Sequence, residues 1–105
     1  MFATKSFVAS HPNTVKKVLT AYYKASAFVN SNPQQAAVIA GPAFDVSTTA
    51  MEQTFTVIKF STNSTFTPQI IQGIDVVRSQ LLALNVVSSA PPTDQLYTTE
   101  FQGVQ

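Results

Sequence analysis

The chain has 105 residues, 45% of them hydrophobic, six basic against five acidic side chains, a net charge of +1 and no cysteine. That length allows one domain or part of a larger one. The balance leaves no electrostatic footprint for nucleic acid and excludes a disulfide framework or a thiolate metal site. Charged residues make up only 10% of the chain, against about 25% in a typical soluble domain. Ser, Thr, Asn and Gln (10, 13, 5 and 9 of them) must therefore face the water, and so weakly charged a surface does little to oppose self-association.

Phe2 to Thr4 is short and apolar and is expected to form a strand or extended lead, followed by one helical turn around Phe7-Val8-Ala9. Nothing in Met1 to Ser6 has the charged start and apolar block of a signal peptide. The first long helix is expected from Pro12 to Asn30, because Val15, Val18, Leu19, Tyr22, Ala25 and Val29 recur at the spacing of one buried stripe. Ser26 is a small polar interruption on that side, and Lys16, Lys17, Thr20 and Lys24 point elsewhere. Proline is tolerated at the first helical position, since its missing N–H has no acceptor within the helix.

A second, short helix starts at Pro33 and should end at Gly41, a residue suited to the left-handed closing position, with Pro42 preventing continuation. Asp45 then reads as the N-cap of a third helix that runs to about residue 56. The β-branched and aromatic run "TFTVIKF" (54–60) leads out of it into an extended piece. "STNSTFT" (61–67) is a polar loop. Thr67-Pro68 opens a helix to about Leu84, with Ile70, Ile71, Ile74, Val77, Leu81 and Leu84 on one face and Asn85 as its closing residue. Gly73 inside it costs roughly 1 kcal/mol against Ala, which close packing would justify. A linker ends at Ala90-Pro91-Pro92, and "TDQLYTTEF" (93–101) reads as a turn or short helix. The longest nearly unbroken apolar run, 36–44, is about half a membrane span, so no segment is expected to cross a bilayer.

Few residues can carry chemistry. His11, the sole histidine, stands between Ser10 and Pro12, but neighbours at a helix start rarely face each other and no third group is near to orient the ring. It reads as a helix-start residue. The carboxylates Asp45, Glu52, Asp75, Asp94 and Glu100 show no spacing typical of acid–base work or of a metal loop; Asp75 reads as a solvated partner for Arg78 or a lysine. Gly41, Gly73 and Gly103 are too scattered to cradle a phosphate. Tyr22, Tyr23 and Phe28 could stack on a ligand, but aromatics on such a helix are ordinarily core. Asn63-Ser64-Thr65 matches a glycosylation acceptor, a tripeptide common by chance. The expectation is a non-enzyme with no catalytic residue, no metal site and no cofactor.

The order of these pieces resembles the C-terminal region of solute-binding proteins of ABC importers, of the nitrate, sulfonate and taurine type that also includes thiamine-pyrimidine-precursor binders. The residues that carry the resemblance are Lys5-Ser6-Phe7, His11-Pro12, the helix through Val15 to Leu19, and Asn32-Pro33-Gln34-Gln35-Ala36-Ala37. At the other end they are the closing helix, its proline-containing linker, and Leu96-Tyr97 with Phe101. The resemblance implies a mainly α segment, residues 1–105 as one helical domain, belonging to one lobe of a two-lobed α/β fold with a short N-terminal strand. It also implies a small-molecule solute and an ABC permease as partners of the parent protein, and a periplasmic or cell-envelope location. The family's ligand lies between two lobes and is held mostly by residues preceding this segment, so the ligand residues stay unknown and Phe2, Ala3 and Thr4 receive only a structural, hinge-side role. Two other readings stay open: a free-standing helical interaction or self-association module, and, most weakly, an enzyme related to the pyrimidine-precursor branch. With its sheet missing, the isolated chain is expected to form a homo-oligomer.

Overall fold

A computed structural model describes Met1 and residues 3–105; Phe2 lies outside the described residues. The architecture is mainly helical: α1 (Lys5–Ser10), α2 (Pro12–Ser31), α3 (Pro33–Ala43), α4 (Thr48–Val57) and α5 (Pro68–Ala83), followed by a 3₁₀ turn at Thr93–Gln95. No strand occurs among the described residues. The expected N-terminal strand is absent at Ala3 and Thr4. Thr4 instead caps α1, its Oγ1 accepting from the Phe7 N–H at 3.2 Å, and the Phe2 part of that expectation lies outside the described residues. Two compact units form, Met1–Ser64 with Val104–Gln105, and Thr65–Gly103.

The helices start by two devices. Ser47 and Thr67 accept from the N–H three residues on, Ala50 and Ile70, each at 3.3 Å, which satisfies one orphan donor of α4 and of α5. At His11 and Asn32 no side chain caps the helix that follows, and the proline at the first position acts alone. The Asn32 amide turns back and donates to the Phe28 carbonyl at 3.2 Å, closing α2 rather than opening α3.

The ends differ from the sequence reading in an instructive way. Gly41 is not the left-handed residue after α3; Asp45 is, at φ 54°. The Val46 N–H reaches the Gly41 carbonyl at 2.9 Å and the Asp45 N–H lies 3.5 Å from that of Pro42, the paired closure in which a left-handed residue returns the chain onto the last turn. Asp45 is therefore no N-cap, and α3 runs through Pro42 to Ala43. Asn85 closes α5 in the same way, at φ 54°, with Val86 bonded to the Leu81 carbonyl at 2.9 Å and Asn85 to that of Leu82 at 3.1 Å. Asp and Asn reach this region more readily than other side chains.

The core of the first unit is small. Ala36, Ala37, Met51 and Phe55 are its buried apolar residues, with Val29, Ala40 and Phe60 packed against them. Alanines on α3 let α4 approach closely, and Met51 and Phe55, one turn apart, fill the space that those alanines leave. Phe60 meets Phe55 edge to face at 6.0 Å between centroids. The extended residues after α4 are held by Asn30, whose Nδ2 donates to the Phe60 carbonyl at 2.8 Å while its Oδ1 accepts from the Phe60 N–H at 3.0 Å. On α2 the buried residue is Ser26; Val15, Leu19 and Val29 are half-buried, while Val18, Tyr22 and Ala25 of the expected stripe stay exposed. On α5 Ile71 and Ile74 are half-buried, and Ile70, Val77, Leu81 and Leu84 are exposed.

Gly41 and Gly73 give opposite expectations. A Cβ on Gly41 would lie 2.9 Å from the Val46 carbonyl oxygen, a backbone atom fixed by the closure just described, whereas one on Gly73 would meet nothing within 4 Å. Gly73→Ala should therefore stabilise by up to about 1 kcal/mol through helix propensity. In Gly41→Ala that gain is outweighed by an overpacking cost of about 1–3 kcal/mol. Urea titrations followed by far-ultraviolet circular dichroism check both; a stabilised Gly41→Ala chain would contradict the close approach.

Candidate functional site

The structure does not bring the candidate chemical residues together. The Ser10 hydroxyl donates to the Ser6 carbonyl at 2.7 Å, so its proton is directed into its own helix rather than at His11. The His11 ring packs edge-on against Phe7, centroids 4.9 Å apart, as suits a residue between two helices. Among the described residues no three of His, Asp and Glu converge to hold a metal, and no helix is long and apolar enough to cross a membrane. The surface recess at the α3–α4 turn is lined by Gly41, Pro42, Asp45, Val46, Ser47 and Thr48. It is open, and its residues are those that make the turn itself.

One polar cluster that ties two segments together lies in the second unit. Arg78, midway along α5, donates from Nε to the Pro91 carbonyl at 2.6 Å and from Nη2 to the Ala90 carbonyl at 3.3 Å. Asp75, one turn earlier, accepts from the Thr93 hydroxyl. The expected Asp75–Arg78 partnership is thus replaced by a clasp: each side chain turns to the segment after the helix and holds it along α5. Pro91 and Pro92 have a fixed φ, which limits the paths that this segment can take past Arg78. Farther along, Tyr97 lies against Phe66, centroids 5.3 Å apart with planes tilted by 31°. Such a clasp positions a chain; it presents no group to a substrate.

In the glycosylation-like tripeptide, Ser64 is buried and joins the C-terminal residues to the first unit. Its N–H donates to the Val104 carbonyl at 3.1 Å, and its hydroxyl accepts from the Val104 N–H at 3.0 Å. The aromatics of α2 are not core: Tyr22 and Phe28 are 48% and 40% exposed. Tyr23 is half-buried, and burial first, then the adjacent Tyr22, push its hydroxyl above the ordinary 10.0. Sequence reasoning missed Asn30 and Thr93, whose roles depend on segments 30 and 18 residues away. A lone Asn near a helix end carries no signal of such a partner.

No protein-family model matches the chain, and no curated protein or solved structure is significantly similar to it.

Two measurements test this geometry. Arg78→Ala removes both bonds to the segment after α5, worth about 1.5–3 kcal/mol for a charged donor, and should speed amide exchange at Gln95 and Leu96, whose N–H groups bond to Pro92 and Thr93; unchanged exchange would show that the clasp holds nothing. For Tyr23 the folded chain keeps the phenol protonated to higher pH than the unfolded chain. That contribution is intact below the unfolded value and is lost as pH rises through the folded one. Stability should therefore fall above about pH 10, and less steeply in Tyr23→Phe, with the tyrosinate absorbance locating the transition.

Proposed function

We propose that the chain is the C-terminal helical part of a solute-binding protein for an ABC importer of small molecules, of the nitrate, sulfonate and taurine class, and that it contributes lobe structure rather than the ligand site. The observation that carries the proposal is uncovered surface. A compact chain of 11.3 kDa exposes about 5,700 Å², and two separate compact bodies of the sizes seen here about 6,900 Å²; this chain exposes 7618 Å². Apolar side chains left open include Val38 and Ile39 on α3, Val77 on α5 and Leu84 just after it, each more than half exposed. Such side chains suit helices that wrap a lobe whose sheet comes from other polypeptide. The residues Lys5-Ser6-Phe7, His11-Pro12 and Asn32-Pro33-Gln34-Gln35-Ala36-Ala37, in that order, support assigning that lobe to a solute-binding protein.

In this reading residues 2–4 lie on the hinge side of the lobe, the solute and the permease are partners of the parent protein, and its location is the periplasm or cell envelope. No catalytic residue is assigned. A second reading, a free-standing helical module that associates with other protein or with itself, is favoured by one feature. The cluster of Ala36, Ala37, Met51 and Phe55 is closed by residues of the first unit alone.

Two outcomes are expected. The reading frame upstream of Met1 should encode two α/β lobes beside permease and ATPase genes; an unrelated frame there would end the first reading. The isolated chain should show no rise in melting temperature with nitrate, taurine or alkanesulfonates. A saturable rise with any of them would overturn the assignment of the ligand site to other residues.

A further inference from the structure

The charge of this weakly charged chain is segregated between the two units. The first carries Lys5, Lys16, Lys17, Lys24 and Lys59 against Asp45 and Glu52, a net of +3; the second carries Asp75, Asp94 and Glu100 against Arg78 alone, a net of −2; together these give the +1 of the chain. No carboxylate side chain occurs before Asp45.

On α2 this charge borders an uncovered apolar stripe. At 100° per residue, Val18, Ala21, Tyr22, Ala25 and Phe28 fall on a face beside the packed one that holds Leu19 and Ser26. All five are exposed, Val18 by 47% and Tyr22 by 48%. Lys17 and Lys24, both exposed, lie along one edge of the stripe, seven residues and so about 10 Å apart. The second unit offers the complementary pattern in its final segment. Leu96, 44% exposed, stands between the exposed carboxylates Asp94 and Glu100.

We infer that the lysine-edged stripe of α2 is an interface for a second copy of this chain, whose Asp94–Leu96–Glu100 segment seats Leu96 on the stripe with its two carboxylates towards Lys17 and Lys24. The inference rests on the free-standing reading given above. Two quantities support a second copy as the occupant. The surface in excess of two separate compact bodies is about 700 Å², close to the roughly 800 Å² that each partner buries in an interface of standard size. The acidic rim that would complement the lysines is present on the chain itself, so pairing brings opposite charges together. Each copy carries both faces, the lysine edge and the acidic segment.

The test is a charge exchange read by sedimentation equilibrium over about a hundredfold range of concentration. The unsubstituted chain should pair, and pair less tightly as salt rises from about 50 mM to 500 mM. One variant carries Lys17→Glu and Lys24→Glu, the other Asp94→Lys and Glu100→Lys. All four positions are exposed, so far-ultraviolet circular dichroism should be unchanged. Each variant alone brings like charges together at both contacts and should pair about a hundredfold more weakly or worse. Mixed in equal amounts, the two restore opposite charges at both contacts and should pair again. A folded monomer throughout for the unsubstituted chain overturns the inference and counts against the association expected of a chain that lacks its sheet, whereas an unrelated upstream reading frame ends the solute-binding reading and leaves this contact standing. Variants that still pair alone, or that fail to pair when mixed, overturn this contact.

Discussion

The most extensive helix contact among the described residues, α3 on α4, is set by side chains that are almost absent. Ala36 and Ala37 bring the backbone of α3 near Met51 and Phe55, and Gly41 lets the turn fold back until the Val46 carbonyl occupies the space a Cβ would need. The remaining features of the first unit follow from that contact. With the turn so tight, Ser47 falls at the start of α4, and its cap fixes which residues of α4 face inward. Phe55 then offers an edge to Phe60, and Asn30 completes the arrangement by bonding both backbone groups of Phe60. A side-chain amide here serves as a one-residue strand, satisfying an extended segment that has no sheet to join.

The second unit has no equivalent. No residue of α5 is buried, and bodies of about 40 residues or fewer seldom fold on an apolar core alone. Its order comes from the Arg78 and Asp75 clasp and from the Phe66–Tyr97 contact. Hydrogen bonds of this kind contribute about 1 kcal/mol each, somewhat more when a charge is involved. They fix the path of a chain better than they hold one folded.

The sequence disclosed the elements better than their junctions. Periodicity located α2 and α5 to within a residue or two, because their apolar spacing is regular and proline marks each start. The α3–α4 junction was misread, and for a physical reason. Gly41 is the residue type expected at a left-handed closing position, but it was needed for close approach, and the left-handed conformation passed to Asp45, which propensity favours as a cap. The short apolar run at residues 2–4 read as a strand, yet Thr4 had the stronger local use as a cap for α1. Of the polar arrangement, spacing suggested Asp75 as a partner for Arg78 or a lysine, and the two do not pair. Their actual acceptor and donor lie after the helix, where no period points.

Both functional readings make the same physical demand, and α2 states it most clearly. A surface helix buries one stripe and gives the other face to charged or polar groups. On α2 a second apolar stripe, Val18 to Phe28, takes much of the face that should be polar, and the lysines are displaced to its edge. A helix with two apolar faces belongs between two layers, and the first unit supplies one. In a two-lobed protein the second layer would come from the same polypeptide, and Lys17 and Lys24 would mark the rim where that layer ends. In a free-standing module it must come from another molecule, and the same lysines would select which. The low overall charge suits either arrangement, since a neutral Ser, Thr, Asn and Gln surface hydrates the chain without repelling what must pack against it. The few charges the chain keeps therefore carry most of the specificity that any partner would meet.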